Sequence, residues 1–228
     1  MNPDVVIVSN HCAEDLSWLH NQEKYKFVVC SKTNPNSHIY LPKNAACEVE
    51  AYLTYIVQNY DSLPQTVVFV HGHEYAWHQN GTVMQLLEQL GDLTKYKCEN
   101  INNRWCCMVT YVENWDTILN SITTTLNDSY TILPDDGVQP FRQQGLWRRV
   151  LGVDTLPPYI YSRVCAQFVV HRDVIRSRPL EYWKRLLDTM YELCTVHDSK
   201  AVAILFEVLW FYIFTNEYDE GRYDRIRG

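Results

Sequence analysis

The sequence has few of the features that assign a chain to a special class. Only 8 glycines and 9 prolines occur among 228 residues, which excludes a fibrous or low-complexity chain. None of the eight cysteines forms a Cys-x-x-Cys pair, so neither a zinc ribbon nor a thioredoxin-like site is expected. The longest apolar segment, residues 201–214, is interrupted by Glu207 and is shorter than the about 20 residues that cross a bilayer.

Positive charge is scarce as well. Lys and Arg number 20 against 27 Asp and Glu, a formal net charge of −7. Nucleic-acid binders gain affinity mainly by neutralising phosphates, so no nucleic-acid partner is expected. The N-terminus lacks the basic start and apolar stretch of a signal peptide. Several cysteines lie in apolar runs, where a free thiol acts as a small hydrophobe. We therefore expect a soluble, cytoplasmic protein with no membrane span.

The sequence is rich in short β-branched runs that alternate with helical patterns. A hydrophobic content of 46% and an aromatic content of 13% suit one globular domain. The periodicity predicts strands at residues 5–8, 27–30, 66–70, 105–111 and 164–170, and helices at 47–60, 83–90, 115–122, 180–196 and 200–214. This alternation predicts an α/β fold with a mostly parallel central sheet and helices on both faces. We expect a single domain over residues 1–216 and a tail or linker over residues 217–228.

Ligands of parallel sheets bind beyond the carboxyl ends of the strands, so the residues after each strand carry the functional argument. His71, Gly72, His73 and Glu74 follow a strongly apolar strand. In an extended backbone the two imidazoles point the same way, and glycine between them permits close approach of a ligand. Two imidazoles and a carboxylate suit Mn²⁺ better than Mg²⁺. Alternatively, each histidine caps a strand end or binds a neighbouring carbonyl.

Two later segments carry charged candidates. Arg172 and Arg176 follow the strand predicted at residues 164–170, and a guanidinium group is well suited to bind a phosphate. They could equally bind main-chain carbonyls or pair with acidic side chains. Glu207 lies on a very apolar helix, where burial would raise its pKa and make it a candidate general base. The alternative is that this helix has one solvated side and that Glu207 faces it.

The first two predicted strands are also followed by polar residues. Ser9 and Asn10 could line a nucleotide pocket, and Asp15 could bind a base or ribose. Asp15 is equally suited to cap a helix. Lys32 follows the second strand and could meet a diphosphate, although a single lysine is usually a solvated surface charge.

Several motifs resemble those of a family of fungal and large-virus proteins catalogued as a domain of unknown function. The matching segments are residues 15–19, 59–64, 68–73, 167–179 and 207–214. Within this family the chain is similar to viral glycosyltransferases that modify a capsid protein. The resemblance implies a GT-A fold that binds a nucleotide sugar. It also implies a metal site at the strand end, where His71 and His73 stand in place of the usual Asp-x-Asp. Glu48 keeps the last position of a family motif, Asn-Val-Gly-Arg-Glu, which is altered here to residues 44–48.

These observations lead to a hypothesis of metal-assisted transfer from a nucleotide-diphosphate sugar, a UDP-sugar being favoured, to a glycan or glycoprotein. The metal ligands would be His71, His73 and Glu74, and Glu207 would act as the base. Residues that face the donor would be Ser9, Asn10, Asp15, Lys32, Glu48, Arg172 and Arg176. A non-catalytic module that binds nucleotide sugars or carbohydrates is the alternative. A metal-dependent hydrolase is a third.

Overall fold

The computed structural model describes residues 4–20, 23–102, 107–111, 159–163, 165–196 and 198–215. The helix predicted at 115–122 and the tail predicted at 217–228 lie outside these residues. Within them, no helix has both the length and the apolar character needed to traverse a membrane.

A six-stranded sheet forms the centre of the molecule. Its strands are β1 (Val5–His11), β2 (Lys26–Ser31), β3 (Ile39–Tyr40), β4 (Thr66–His71), β5 (Cys98–Asn100) and β8 (Phe168–His171). The spatial order is β3-β2-β1-β4-β8-β5. The pairs β1–β2, β1–β4 and β2–β3 are parallel, whereas β8 is antiparallel to both β4 and β5. Five strands therefore share one direction, which confirms the predicted mixed α/β fold with a mostly parallel sheet.

A second, two-stranded antiparallel sheet pairs β6 (Cys107–Tyr111) with β7 (Tyr159–Arg163). Only its first strand is predicted by the sequence pattern, which places a strand at residues 105–111.

Helices cover both faces of the central sheet. The described helices are α1 (Ser17–His20), α2 (Glu48–Asn59), α3 (Val83–Leu90), α4 (Arg172–Arg176), α5 (Leu180–Val196) and α6 (Ser199–Thr215). Alternate side chains of each strand point to opposite faces. In β4, Val67 and Phe69 pack in the core formed with α2, α5 and α6, whereas Val68 and Val70 pack with α1 and α3. The aromatic residues Trp210 and Phe214 stack on the first face at 5.4 Å between ring centroids.

The direction of β8 overturns one prediction. Thr66 at the start of β4 pairs with His171 at the end of β8, so the residues after β8 lie at the opposite edge of the sheet from His71. There, Arg172 Nη1 donates to the carbonyl of Leu63 at 3.4 Å. The side chain of Arg176 donates to the carbonyls of residues 60 and 61. The prediction that the two arginines face the donor at the end of the sheet that carries His71 was wrong, because it took the strand before them to run parallel to β4.

Candidate functional site

The carboxyl ends of β1, β2 and β4 meet at one edge of the sheet. Since β2 and β4 lie on either side of β1, the order of the strands reverses between β1 and β4. Open α/β sheets bind their ligands in the crevice at such a switch point. In this sheet the switch point lies between Asn10 and His11 of β1 and His71 and Gly72 at the end of β4.

Three imidazoles lie together beside this crevice. The rings of His71 and His73 stack at 5.0 Å with an interplanar angle of 24°. The ring of His78 is 5.6 Å from that of His71 and 6.2 Å from that of His73. We call His71, His73 and His78 the imidazole trio. His71 ends β4, and the loop before α3 brings His78 back to it.

Hydrogen bonds determine which nitrogen of His78 carries a proton. Asn102 Nδ2 donates to Asn100 Oδ1 at 2.9 Å and to the carbonyl oxygen of Cys165. The Oδ1 atom of Asn102 accepts from Gln167 Nε2 at 2.8 Å. His78 Nδ1 lies 2.7 Å from this same oxygen and must donate to it. The Nε2 atom of His78 therefore keeps its lone pair.

Gln167, which precedes β8, joins this network to the rest of the trio. Its Oε1 accepts from the main-chain N–H of His71 at 3.2 Å, and its Nε2 donates to Gln79 Oε1 at 2.9 Å. Gln167 is fully buried, and all the polar atoms in these bonds are neutral. The network therefore holds the ring of His78 and the main chain of His71, and it brings no charged group to them.

The other two imidazoles have nitrogens without a protein partner. Among the described residues, the buried Nε2 atoms of His71 and His73 accept and donate no hydrogen bond, and neither does the buried Oδ1 of Asn10. An unsatisfied buried polar atom costs about 1–3 kcal/mol, so it calls for an explanation such as a ligand. Three such atoms at the neighbouring ends of β1 and β4 indicate a place where a ligand supplies the missing contacts.

Burial keeps the trio neutral. It lowers the pKa of His71 to about 3, and the neighbouring His73 and His78 add to the shift. Burial also lowers the pKa of His73, against the opposing charge of Glu14. The pKa of His78 is lowered by burial too, against its bond to Asn102. Neutral imidazoles are the form that binds metal ions.

Gly72 is required by close packing between two members of the trio. A Cβ atom there would lie 2.8 Å from both the main-chain oxygen of Asn10 and Oε2 of Glu14. Trp18 Nε1 donates to the carbonyl of Gly72 at 2.9 Å. The same Glu14 oxygen accepts from the main-chain N–H of Cys12 and Ala13, at 2.6 and 3.0 Å. This carboxylate is therefore fixed next to the strand end.

Two carboxyl groups lie nearby, Glu48 at the start of α2 and Glu207 in α6. Burial, followed by the negative charge of Glu207, raises the pKa of Glu48 to about 8, although Lys32 opposes the shift. Burial also raises the pKa of Glu207, whose Oε1 accepts from the main-chain N–H of Cys165. We call Glu48 and Glu207 the carboxyl pair. The charge of Glu207 thus adds to the effect of burial on Glu48.

Lys32 is committed to a buried ion pair. Its Nζ contacts Oε2 of Glu50, and both side chains are almost fully buried. Glu50 also accepts from the N–H of Ala45 at 3.0 Å and from the hydroxyl of Tyr191 at 2.8 Å. The ammonium group therefore anchors the segment before α2. This buried ion pair leaves the predicted contact of Lys32 with a diphosphate without support.

Strained backbone surrounds the carboxyl pair. Asn44, Ala46 and Cys47 have φ values of 48°, 50° and 52°, and Cys165 has 68°. For residues other than glycine this conformation costs about 1–2 kcal/mol each. The main-chain N–H of Ala46 donates to Ser199 Oγ at 2.6 Å, which helps to hold the segment. Such outliers cluster at functional sites, where surrounding contacts enforce them.

The remaining predicted site residues have more ordinary positions. Ser9 is fully buried, and its Oγ donates to the carbonyl of His71 at 3.4 Å. Asp15 lies just before α1 and accepts from the N–H and the hydroxyl of Ser17 at 2.8 and 2.9 Å. Glu74 accepts through its main-chain oxygen from the N–H of Val83 at 3.0 Å. Of the predicted metal ligands, His71 and His73 lie together in the trio. Its third member, His78, was not predicted.

The trio fits a metal ion in ligand chemistry but is not assembled around one. Three neutral imidazoles are common ligands of Zn²⁺ and Mn²⁺. Imidazoles bound to one cation at about 2.1 Å have ring centroids about 5 Å apart, close to the spacing observed. Yet no three His, Cys, Asp or Glu side chains in the described ranges are placed so as to hold a metal ion. Coordination would therefore require the rings to rotate.

Fold and site together define an α/β protein with a three-imidazole cluster at the switch point of its sheet. The chain belongs to the family described as a protein of unknown function (DUF3431), whose model matches residues 6–223. This match confirms the resemblance to an uncharacterised-domain family. No curated protein matches the chain, and no solved structure does.

Proposed function

We propose that the chain is a metal-dependent glycosyltransferase of GT-A-like architecture. It would move a sugar from a nucleotide-diphosphate sugar, with UDP-sugars favoured, to a glycan or glycoprotein such as a viral capsid protein. The observation that carries the proposal is the imidazole trio at the switch point, with two buried Nε2 atoms that have no partner in the described structure. The carboxyl pair on the neighbouring helices adds the groups for proton transfer.

The imidazole trio would hold a divalent cation. Mn²⁺ is favoured over Mg²⁺ because nitrogen ligands suit the former and oxygen ligands the latter. Bound there, the cation would act as a Lewis acid that offsets the charge on the departing diphosphate. The trio itself would contribute neutral ligands, so no proton has to leave His71, His73 or His78 when the site fills.

Glu207 would accept the proton of the acceptor hydroxyl. Its Oε1 is held by the N–H of Cys165, which fixes the side chain on a helix that is otherwise apolar. Burial raises its pKa, and a base works best when its pKa lies near the working pH. Glu48 would hold a sugar hydroxyl. Positioning of the hydroxyl in line with the anomeric carbon would supply much of the rate.

The donor would occupy the crevice between β1 and β4. Asn10 contributes a buried Oδ1 without a partner among the described residues. A reducing compartment such as the cytoplasm suits the chain, because Cys30, Cys47 and Cys194 have free thiols.

Isothermal titration calorimetry with UDP and a panel of UDP-sugars tests the proposal. In the presence of Mn²⁺ we expect binding of UDP and of at least one UDP-sugar, weakened about tenfold or more by His71→Ala. His38→Ala is the matched control, since His38 is exposed and lies outside the site. Failure of every nucleotide sugar to bind would contradict the proposal.

Product analysis separates transfer from the other two functions. A transferase releases UDP and glycosylates an added acceptor, whereas a hydrolase releases free sugar without one. A binding module forms neither product. If the chain is a transferase, Glu207→Gln should slow transfer by about 10²–10⁴-fold and leave donor binding intact.

A further inference from the structure

The large apolar side chains that are exposed in the described part of the chain are three aromatic rings. They are Tyr40, Tyr75 and Trp77, which are 44%, 64% and 71% exposed. Tyr75 and Trp77 lie in the loop that carries His73 and His78. Exposed tryptophan is uncommon because its ring gains much free energy from burial. Two such rings beside a candidate site indicate a surface that a ligand covers.

The loop that carries these two rings is tied down at both ends. The main-chain oxygen of Glu74 accepts from Val83 N at 3.0 Å and from Gln79 Nε2 at 2.8 Å. The N–H of Gln79 donates to the carbonyl of Ala76 at 3.2 Å. The exposed rings are therefore presented by a braced turn, and their exposure is built into the fold.

The indole of Trp77 contacts the member of the imidazole trio that is bonded toward β5. The indole of Trp77 contacts the ring of His78 edge-on, at 5.5 Å between centroids and 83° between planes. His78 is bonded to Asn102, which follows β5, and Gln79 is bonded to Gln167, which precedes β8. A ligand on the indole would therefore be one ring away from the proposed metal site.

Size and charge restrict what could cover these rings. Two aromatic side chains offer about 150–250 Å² each, well below the about 800 Å² per partner of a stable protein interface. Glu74 directly precedes Tyr75 in the chain, and its negative charge disfavours an anion on these rings. A neutral pyranose ring fits, because the electron-rich face of an aromatic ring attracts the polarised C–H bonds of a sugar.

We propose that Tyr75 and Trp77 form a stacking platform for a pyranose ring of the acceptor glycan. This inference rests on the proposed function, because the platform places the acceptor next to the donor crevice. Here the aromatic platform denotes these two side chains. Trp77 supplies the larger and more exposed face, and its contact with His78 sets its distance from the reacting groups.

Saturation-transfer difference NMR tests the platform without nucleotide or metal. The probes are the methyl glycosides of glucose, galactose, mannose, xylose and rhamnose at millimolar concentration. We expect transfer to the ring protons of at least one glycoside. Trp77→Ala should weaken that binding about tenfold, whereas Trp77→Phe should stay within about threefold of wild type. Tyr40→Ala is the matched control, since this exposed ring lies three strands from β4, and it should change nothing.

A second titration, with UDP and Mn²⁺, shows whether the indole of Trp77 stacks on a sugar or on the nucleobase. UDP affinity unchanged in Trp77→Ala supports the platform. A loss of UDP affinity would overturn it, because the ring would then stack on the nucleobase. Absence of glycoside binding to the wild type, or equal binding by Trp77→Ala, would also overturn it. Failure of UDP to bind wild type would overturn the proposed function instead, so the two outcomes are distinguishable.

Discussion

His78 Nδ1 donates to Asn102 Oδ1 over 2.7 Å, and this bond leaves the lone pair of His78 on Nε2. Asn102 cannot reverse its amide, because its Nδ2 is already engaged by two oxygens. Partners of this kind orient metal-binding histidines and fix their tautomer. Asn102 therefore acts as a positioning residue for the imidazole trio.

Substitution Asn102→Ala should weaken Mn²⁺ or Zn²⁺ binding by about 10–100-fold. The freed His78 ring can turn and can carry its proton on either nitrogen. Competition with a chromophoric chelator measures the affinity. Asn36→Ala, on an exposed turn, is the control and should match wild type. Equal metal affinity in Asn102→Ala and Asn36→Ala would show that Asn102 does not position the imidazole trio.

Substitution Glu207→Gln should lower the rate of transfer by about 10²–10⁴-fold. Glutamine still offers an oxygen to the N–H of Cys165, so the fold and the UDP affinity should persist, but it cannot accept a proton. Transfer is measured by UDP release with an acceptor present. The control Glu181→Gln changes an exposed carboxylate on α5 that pairs with Lys184. Full activity in Glu207→Gln would exclude it as the base.

Substitution Gly72→Ala should lower the free energy of unfolding by about 1–3 kcal/mol. The new methyl group would meet the main-chain oxygen of Asn10, which cannot move independently of β1, and the carboxylate of Glu14. Urea denaturation measures the change. Adding Glu14→Ala should restore only part of the loss, since the contact with Asn10 remains. Wild-type stability in the single variant would show that the strand end has room for a side chain.

The stability of the protein should fall as the pH rises through the titration of Glu48. Its folded pKa of about 8 lies above the ordinary 4.5, so the folded state binds the proton more tightly than the unfolded state. The favourable contribution is complete below about pH 4.5 and is lost as the pH approaches 8. Between these pH values the free energy of unfolding of the wild type should decline by on the order of 3–5 kcal/mol through Glu48. Glu48→Gln should lack this decline. Urea denaturation at a series of pH values measures the free energy of unfolding. If its pH dependence were the same in wild type and in Glu48→Gln, the raised pKa of Glu48 would be contradicted.

Much of the fold could be predicted because periodicity follows burial. The strands β1 and β4 are apolar runs buried on both faces, and β2 is an apolar run that is partly buried. The helices α2, α3, α5 and α6 have apolar residues at helical spacing. The two-residue β3 and the three-residue β5 are too short to leave such a pattern. The direction of β8 depends on a long-range pairing with β4, which local sequence does not encode. Arg172 and Arg176 were misplaced for that reason.

The site was only partly predictable. His71 and His73 follow a buried strand directly, so their place at the sheet edge could be inferred. His78 lies beyond a turn, although the spacing His-x-His-x-x-x-x-His was a signal that could have found it. Asn102 and Gln167 belong to other segments and join the trio only through the sheet. The burial of Lys32 depends on Glu50, a partner on a separate element.

Pulsed EPR of Mn²⁺ bound to the protein with UDP tests the central claim most directly, since it detects the nitrogen nuclei of coordinating imidazoles. We predict ¹⁴N couplings in the wild type and in His38→Ala. The couplings should weaken in each of His71→Ala, His73→Ala and His78→Ala. Bound Mn²⁺ without nitrogen couplings, or couplings that persist unchanged in all three variants, would contradict the account.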